Sequence, residues 1–245
     1  MSAAATGRLI GVGTGPGDPE LLTLKAVKAI GSADVLAWFA KEGKRGNGRG
    51  IVEGLVGEGV IELPLYYPVT TEIHRARPEY IHQVTGFYEA STRAIAEHLD
   101  AGRNVVVLSE GDPLFYGSYM HLHVRLAKRY PAEVIPGVTA MSGCWSQANL
   151  PIVQGDDVLS VLPGTMEEDQ LVRRLTDTEA AVIMKVGRNL PKIRRALAEA
   201  GRINDAIYVE RGTMANTKTI ALAAKPDDEA PYFSIVLVPG WKGKP

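Results

Sequence analysis

Two Gly-Asp-Pro segments, at residues 17–19 and 111–113, have the residue types and the setting to bind a small molecule. In each, an apolar run leads into a glycine-rich turn, and a segment with apolar periodicity follows. The pattern predicts a buried strand that turns into a helix, with the aspartate as N-cap and the proline at the first helical position. Two turns of this kind would line one ligand crevice.

The two aspartates, Asp18 and Asp112, also indicate which ligand suits that crevice. A helix N-terminus binds phosphate through free amide groups, but here a carboxylate would already occupy each helix start. A neutral or cationic ligand therefore fits better. The Gly-x-Gly-x-x-Gly motif is broken as well, because its third glycine is Pro16 when counted from Gly11 and Asp18 when counted from Gly13. The alternative is that both segments only start helices.

Composition places the chain among ordinary globular proteins and excludes several classes of function. It has 245 residues, of which 45% are hydrophobic, enough for a large core in two compact domains. The formal net charge of −1 argues against a globally basic nucleic-acid binder. The single cysteine, Cys144, excludes a multi-cysteine metal site and suits a small buried residue better than a nucleophile. No export signal and no apolar run of ~18 residues is found, which predicts a cytoplasmic protein without membrane contact.

Short runs rich in Val, Ile and Leu alternate with helical patterns, which is typical of parallel sheets covered by helices. In the first half, strands are expected at 9–12, 33–39, 105–108 and 133–135, and helices at 21–30, at 78–99 and up to about residue 128. In the second half, strands are expected at 158–162, 180–184, 206–209 and 233–238, and helices at 167–175 and 191–200. Pro, Gly and paired Asp interrupt the pattern at 150–157. The predicted fold class is therefore α/β, with an N-terminal domain over residues 1–152 and a C-terminal domain over residues 153–245.

Three segments resemble the signature segments of the tetrapyrrole methyltransferases, the corrin and porphyrin methylases. They are residues 12–18 with 21–26, residues 110–113 and residues 136–143. The resemblance covers nearly the whole chain, and residues 109–118 are most similar to the enzymes that methylate precorrin-2 at C-20 in cobalamin biosynthesis. It implies two α/β domains with a ligand cleft between them, a fold unlike the Rossmann-like one, and a homodimer. It also implies S-adenosylmethionine as methyl donor and S-adenosylhomocysteine as product.

The resemblance further implies which residues hold the cofactor. These are Pro16, Glu110, Gly111, Asp112, Phe115, Thr139, Ala140, Met184 and Gly212. A sulfonium cation has no phosphate to bind, so a carboxylate such as Asp112 is compatible with it. For Met184 and Gly212 the alternative is a packing role, because a methionine at a strand end is commonly part of the core.

The acceptor implied by the resemblance is a small-molecule tetrapyrrole, which needs binding residues of its own. Its skeleton carries about eight carboxylates, which must be paired by clustered cations because the chain as a whole is slightly acidic. Two basic segments are candidates for substrate binding. The first contributes Lys41, Lys44, Arg45 and Arg49, and the second contributes Arg75 and Arg77. The alternative for each segment is a solvated loop.

The expected reaction is direct displacement, in which an electron-rich meso carbon attacks the sulfonium methyl and S-adenosylhomocysteine leaves. Alignment and exclusion of water supply much of the acceleration in such a reaction. An aspartate follows the second strand in uroporphyrinogen methyltransferases, but the matching residue here is Phe39. Glu110, Tyr116 and Tyr67 are the candidates for a general base, and no metal ligands are expected. Alternatives are a sister enzyme acting on cobalt-precorrin-2 or another ring carbon, a relative acting on RNA or diphthamide, and a non-catalytic tetrapyrrole binder.

Overall fold

The computed structural model describes residues 6–69 and 77–241. Contacts between Cα atoms divide the chain into two compact units, residues 1–139 and residues 140–245. Each unit is built around one sheet of five strands with helices on its faces. The α/β class expected from the alternating pattern is thereby confirmed.

Within residues 6–69 and 77–139, the first unit contains five strands and four α-helices. In chain order they are β1 (Leu9–Gly13), α1 (Leu24–Gly31), β2 (Val35–Lys41), α2 (Asn47–Ile51), β3 (Ile61–Tyr67), α3 (Pro78–Asp100), β4 (Val105–Ser109), α4 (Tyr119–Leu126) and β5 (Ala132–Ile135). The strands are all parallel, in the order β3-β2-β4-β1-β5. A Rossmann sheet has the order 3-2-1-4-5, so the two central strands are exchanged here.

The two faces of this sheet carry separate apolar cores. Residues of α3 and α4 cover one face, where Ile95, Leu122 and Tyr119 are fully buried. Residues of α1 and α2 cover the other face, around Ile30 and Trp38. Because β4 is covered on both sides, all five of its residues are buried, which explains why its sequence is a continuous apolar run.

Strand β3 and helix α2 are elements that the sequence pattern did not predict. β3 lies at the sheet edge, and its residues include Glu62 and Pro64, which interrupt the apolar run that a central strand would show. Proline is tolerated there because an edge strand has one side without ladder hydrogen bonds. α2 has only five residues and two glycines, so no amphipathic pattern marks it.

The described part of the second unit, residues 140–241, contains five strands and three α-helices. They are α5 (Ala140–Ala148), β6 (Leu159–Pro163), α6 (Glu168–Thr176), β7 (Ala180–Met184), α7 (Leu190–Glu199), β8 (Ile207–Glu210), β9 (Lys218–Ala221) and β10 (Ser234–Val238). The strand order is β6-β7-β10-β8-β9, and β10 runs antiparallel to both of its neighbours. The sheet is therefore mixed, unlike the parallel sheet that the sequence predicted. Short 3₁₀ helices also occur in the chain, at Pro19–Leu21, Glu53–Leu55, Gly187–Asn189 and Leu222–Ala224.

Helix α5 explains where the second unit begins. Its residues Ala140, Met141 and Cys144 pack on an apolar cluster formed by β7, β8 and β10. The division between the units consequently falls at residues 139 and 140, ahead of the boundary predicted at 152 and 153. The Pro- and Gly-containing segment at 150–157 is instead a connection inside the second unit, and the Gly240 amide donates to the Ile152 carbonyl at 2.9 Å.

Candidate active site

The loops that follow β1 and β4 leave the same edge of the first sheet and are joined by backbone hydrogen bonds. At the carboxyl ends of these parallel strands, Gly13 lies opposite Ser109. The Gly111 amide donates to the Gly15 carbonyl at 2.8 Å, and the Gly15 amide donates to the Gly111 carbonyl at 3.3 Å. The strand order thus brings the two glycine-rich loops side by side.

Asp112 does not cap a helix, contrary to the prediction. Its Oδ1 accepts the Leu114 amide at 2.9 Å and its Oδ2 accepts the Gly137 amide at 3.2 Å. The chain then makes turns until α4 begins at Tyr119. The expectation of a helix start at Pro113 was wrong because the Asp112 carboxylate connects its own loop to the segment after β5.

Asp18 starts a helix, but a shorter one than predicted. Its Oδ1 accepts the Glu20 amide at 2.9 Å and caps the 3₁₀ helix Pro19–Leu21. The α-helix begins afterwards, where Thr23 Oγ1 accepts the Ala26 amide at 3.1 Å. The two Gly-Asp-Pro segments are therefore alike in sequence and differ in what their carboxylates hold.

The segment after β5 packs directly on both glycine-rich loops. A methyl group added at Gly137 would lie 2.2 Å from the Gly111 carbonyl oxygen, and one added at Gly13 would lie 2.5 Å from the Gly137 nitrogen. Backbone at these positions approaches so closely that only glycine fits. We call residues 13–18, 110–117 and 136–139 together the three-loop junction.

The predicted cofactor residues of the first unit all lie in the three-loop junction. Gly111 is hydrogen-bonded to Gly15 in the loop after β1, and Asp112 accepts the Gly137 amide from the segment after β5. Pro16, Phe115 and Thr139 are half-buried on the same loops. The structure thus collects, at one edge of the sheet, residues that are far apart in the sequence.

The predicted cofactor residues of the second unit gather around Cys144. Ala140 and Met184 pack on the same apolar cluster as the Cys144 side chain. A methyl group added at Gly212 would lie 2.6 Å from Cys144 Sγ and 3.2 Å from its Cα. Met184 and Gly212 lie at or just after the carboxyl ends of β7 and β8.

Backbone strain marks these two strand ends, a feature that sequence reasoning missed. Lys185 has a φ of 57°, Arg211 of 48° and Thr213 of 66°. Residues other than glycine rarely adopt this left-handed conformation, and such outliers are common at functional sites. Lys185 directly follows Met184, while Arg211 and Thr213 flank Gly212, so strain accompanies both predicted positions.

We expect the Gly212→Ala substitution to destabilise the second unit by about 2 kcal/mol through its contact with Cys144. Cys144→Ala removes the sulfur and relieves the closest contact, so Gly212→Ala should cost less in a Cys144→Ala background. Thermal unfolding of both single variants and the double variant measures this coupling. Strictly additive effects would contradict a direct Gly212–Cys144 contact.

Burial raises the pKa of the Cys144 thiol to about 12, the Gly212 backbone hydrogen bond only partly opposing it. At pH 8 the thiolate fraction in the folded protein is therefore about a thousandfold below that of the unfolded chain. We expect iodoacetamide to label the folded protein at least that much more slowly than the denatured protein, with a rate that rises as pH increases towards 12. Fast labelling at pH 8 would identify Cys144 as a reactive thiol instead.

Comparisons with known proteins identify the family. The family model described as "Tetrapyrrole (Corrin/Porphyrin) Methylases" matches residues 8–225. The chain belongs to the tetrapyrrole methylases. A precorrin-2 C(20)-methyltransferase from Sinorhizobium sp. is 74% identical over 245 residues, which is 100% of both chains. A cobalt-precorrin-2 C(20)-methyltransferase from Salmonella typhimurium is 26% identical and covers 95% of this chain and 96% of that relative.

The fold of a solved tetrapyrrole methylase is also similar. The X-ray structure of a cobalt precorrin-4 methyltransferase has a TM-score of 0.71 and 19% identity, with 95% of this chain and 94% of that chain covered. At this identity the likeness concerns the fold alone.

Glu110, one of the candidate bases, lies beside helix α2 in this tetrapyrrole methylase. Glu110 as a residue is exposed. The protein atoms packed around its carboxyl group nevertheless raise the pKa of that group by burial. Hydrogen bonds from the Asn47 side chain and the Gly48 backbone to the carboxylate act in the opposite direction and are the smaller effect. The carboxylate is therefore already engaged by α2.

Tyr67 and Tyr116, the other candidate bases, have different surroundings. The Tyr67 hydroxyl donates to Ser118 Oγ, and its ring stacks on Phe39 with 5.7 Å between centroids. Phe39 also lies 6.3 Å from Phe87, so Phe39, Tyr67 and Phe87 form an aromatic cluster. Tyr116 is exposed and has a φ of 56°.

The predicted substrate cations differ in accessibility. Lys41, Lys44 and Arg45 are exposed, and Arg45 pairs with Glu53 at 2.6 Å. Arg49 is buried: its Nε donates to Glu62 Oε1 at 3.1 Å, and its guanidinium lies 5.7 Å from the centroid of the Trp38 ring. Arg49 thereby fixes α2 to β2 and β3.

The second basic segment is described only at its end. Arg75 lies outside the described residues, and Arg77 is exposed immediately before α3. Within residues 6–69 and 77–241, no group of three or more His, Cys, Asp and Glu side chains is placed to hold a metal ion. Nor does that part of the chain contain a helix with the length and apolar character to cross a membrane.

Proposed function

We propose that this protein transfers the methyl group of S-adenosylmethionine to C-20 of precorrin-2, giving precorrin-3A and S-adenosylhomocysteine in cobalamin biosynthesis. The observation that carries the proposal is full-length 74% identity to a precorrin-2 C(20)-methyltransferase. The three-loop junction supports it, because the predicted cofactor residues of the first unit meet there. Metal-free precorrin-2 is favoured as acceptor because the relative whose name contains cobalt is only 26% identical.

The residues of the three-loop junction fit a sulfonium donor better than a nucleotide phosphate. Both oxygens of Asp112 accept backbone amides, so the carboxylate lies in the junction and would repel a phosphate. We propose Pro16, Glu110, Gly111, Asp112, Phe115 and Thr139, together with Ala140, Met184 and Gly212, as the residues that hold S-adenosylmethionine. When bound, the donor supplies an activated methyl group; the protein orients the reactants and excludes water.

The chain's own residues carry little covalent chemistry in this proposal. Holding the acceptor carbon in line with the methyl group at about 3 Å supplies much of the acceleration. The Phe39 cluster offers apolar surface and no carboxylate, which suits an acceptor other than uroporphyrinogen. Glu110, Tyr116 and Tyr67 stay candidates for proton removal from the methylated carbon.

Anaerobic incubation with precorrin-2 and methyl-labelled S-adenosylmethionine tests the proposal. The expected product is trimethylated, with the new label at the meso carbon C-20 and one S-adenosylhomocysteine released per methyl group. A parallel incubation with cobalt-precorrin-2 distinguishes the two acceptors. Label at a ring carbon would overturn the position of methylation, and stoichiometric binding without turnover would identify a non-catalytic binder.

We propose Lys41, Lys44 and Arg45 as cations that pair with acceptor carboxylates, with Arg75 and Arg77 as a second group. Lys44→Glu should raise the KM for precorrin-2 about tenfold, because the new carboxylate repels the acceptor, while kcat changes little. Higher ionic strength should shrink the difference, since salt screens exposed charges. Lys28→Glu, an exposed lysine of α1, is the matched control. If both variants raised the KM equally, the cause would be a general electrostatic attraction between the protein and the acceptor, and not a direct contact of Lys44.

We further propose that the protein is a cytoplasmic homodimer, as the resemblance to its family and its single cysteine suggest. Sedimentation equilibrium of the purified protein measures the association state. A single species at 26.4 kDa would overturn the dimer.

A further inference from the structure

Glu110 connects the Gly-Asp-Pro loop to the basic loop, residues 41–50. Its carboxylate accepts hydrogen bonds from the Asn47 side chain and the Gly48 backbone amide, both in the first turn of α2. Gly48 lies close against the junction: a methyl group added there would be 3.6 Å from Leu108 Cβ, 3.8 Å from Thr14 Oγ1 and 3.9 Å from Glu110 Cγ. The first turn of α2, which comes just after the exposed cations in the chain, thus packs on the three-loop junction.

Helix α2 needs this external support. It has five residues, and its N-cap residue Gly46 has no side chain to satisfy the first amides. A helix this short is not stable by itself, and unsatisfied first-turn amides reduce its stability further. Glu110, which is distant in sequence, supplies the acceptor that a capping residue would normally provide.

Arg49 makes a second attachment of α2. Arg49 is buried against Trp38 and donates to Glu62, which holds α2 to β2 and β3 but not to the Gly-Asp-Pro loop. Glu110 is also adjacent to Gly111, which is hydrogen-bonded to the first loop. If residues 110–112 move when the cofactor binds, the Glu110 side chain would therefore transmit that movement to the basic loop.

We infer that Glu110 is a positioning residue that holds the basic loop, and so couples the cofactor loop to the cations that receive the acceptor carboxylates. The inference rests on the proposed function for the identity of the two ligands. It assigns the Glu110 side chain to the arrangement of Lys41, Lys44 and Arg45, and it thereby narrows the candidates for proton removal to Tyr116 and Tyr67. The Glu110 side chain is then an acceptor-binding determinant that acts through α2.

The test compares Glu110→Ala, Glu110→Gln and Asn47→Ala with the full-length wild type. Loss of the carboxylate should raise the KM for precorrin-2 about tenfold. The affinity for S-adenosylmethionine, measured by calorimetry, should change less than about threefold, because Glu110 is proposed to hold the donor through its backbone, which the substitution retains. Glu110→Gln should lie between wild type and Glu110→Ala, because its amide oxygen still accepts a hydrogen bond. Asn47→Ala should add little in the Glu110→Ala background.

Amide hydrogen exchange gives a readout that does not depend on activity. In Glu110→Ala, exchange of residues 44–51 should accelerate while that of α3 stays unchanged. Glu42→Ala is the matched control, because it removes one exposed carboxylate from the same loop without removing the contact to Gly48. Unchanged exchange in Glu110→Ala would overturn the inference.

Kinetics separate this inference from its rivals and from the proposed function. If Glu110→Gln and Glu110→Ala both abolish kcat with an unchanged KM for the acceptor, Glu110 is a catalytic base and the inference is wrong. Loss of S-adenosylmethionine binding in Glu110→Ala would also contradict it. Wild-type protein that neither binds the donor nor methylates precorrin-2 would overturn the proposed function, whereas the exchange result would still report on the Glu110–α2 contact.

Discussion

Gly137→Ala should destabilise the first unit by about 3 kcal/mol or more and abolish measurable binding of S-adenosylmethionine. The added methyl group would lie 2.2 Å from the Gly111 carbonyl oxygen and 2.9 Å from Gly13 Cα, so backbone must move. Neither neighbour is the end of a flexible side chain, and the displaced segments are those proposed to hold the cofactor. Thermal unfolding should show a decrease in Tm of roughly 6–12 °C.

Gly86→Ala is the control for this substitution. Gly86 lies within α3, and no atom lies within 4 Å of an added methyl group. Alanine favours the helix, so this variant should be more stable by about 0.5–1 kcal/mol and bind the donor normally. A Gly137→Ala protein with wild-type Tm and donor affinity would show that the three loops are not packed as described.

Asp112→Ala should weaken S-adenosylmethionine binding by about a hundredfold and lower stability by about 2 kcal/mol. The substitution removes the acceptor of two amides, that of Leu114, which is exposed, and that of Gly137, which is half-buried. It also removes the carboxylate that we propose to lie beside the sulfonium donor. Asp112→Asn retains one acceptor oxygen but presents an amide donor at the other position, so its effects should be intermediate.

The repeated Gly-Asp-Pro motif offers a matched control for Asp112. Asp18→Ala removes the equivalent contact to the amide two residues on, Glu20, from a carboxylate that caps the short 3₁₀ helix. Its stability loss should be about 1 kcal/mol, with a smaller change in donor affinity than Asp112→Ala causes. Isothermal titration and thermal melts measure both effects. Equal losses of affinity in the two variants would contradict a special role for the Asp112 carboxylate.

Local patterns predicted the regular elements well where one element buries a continuous face. The long helix expected at 78–99 is α3, Pro78–Asp100, because its apolar residues repeat at helical spacing and proline marks its start. The run expected at 105–108 is β4, buried on both faces. Elements without such a pattern, such as the edge strand β9, whose four residues are all exposed, were not predicted.

The contacts that organise the candidate site were less accessible to sequence reasoning. The sequence identified Asp112 as an N-cap, because a local pattern describes neighbours along the chain, whereas its second oxygen accepts an amide from Gly137. Arg49 was grouped with the exposed cations of its loop, but its guanidinium is buried beside Trp38 and pairs with Glu62. Both differences come from partners that are distant in sequence.

The order of residues was sufficient to establish the α/β class, the repeated Gly-Asp-Pro segments and the family, since each depends on local periodicity or on short motifs. Packing established that β1 and β4 are neighbours, that Gly13, Gly111 and Gly137 are in contact, and that Glu110 lies beside Gly48 of α2. The physical reason is that hydrogen bonds and close backbone contacts between distant segments depend on strand order and on space. Neither strand order nor the space between segments is encoded in the residues on either side of a motif.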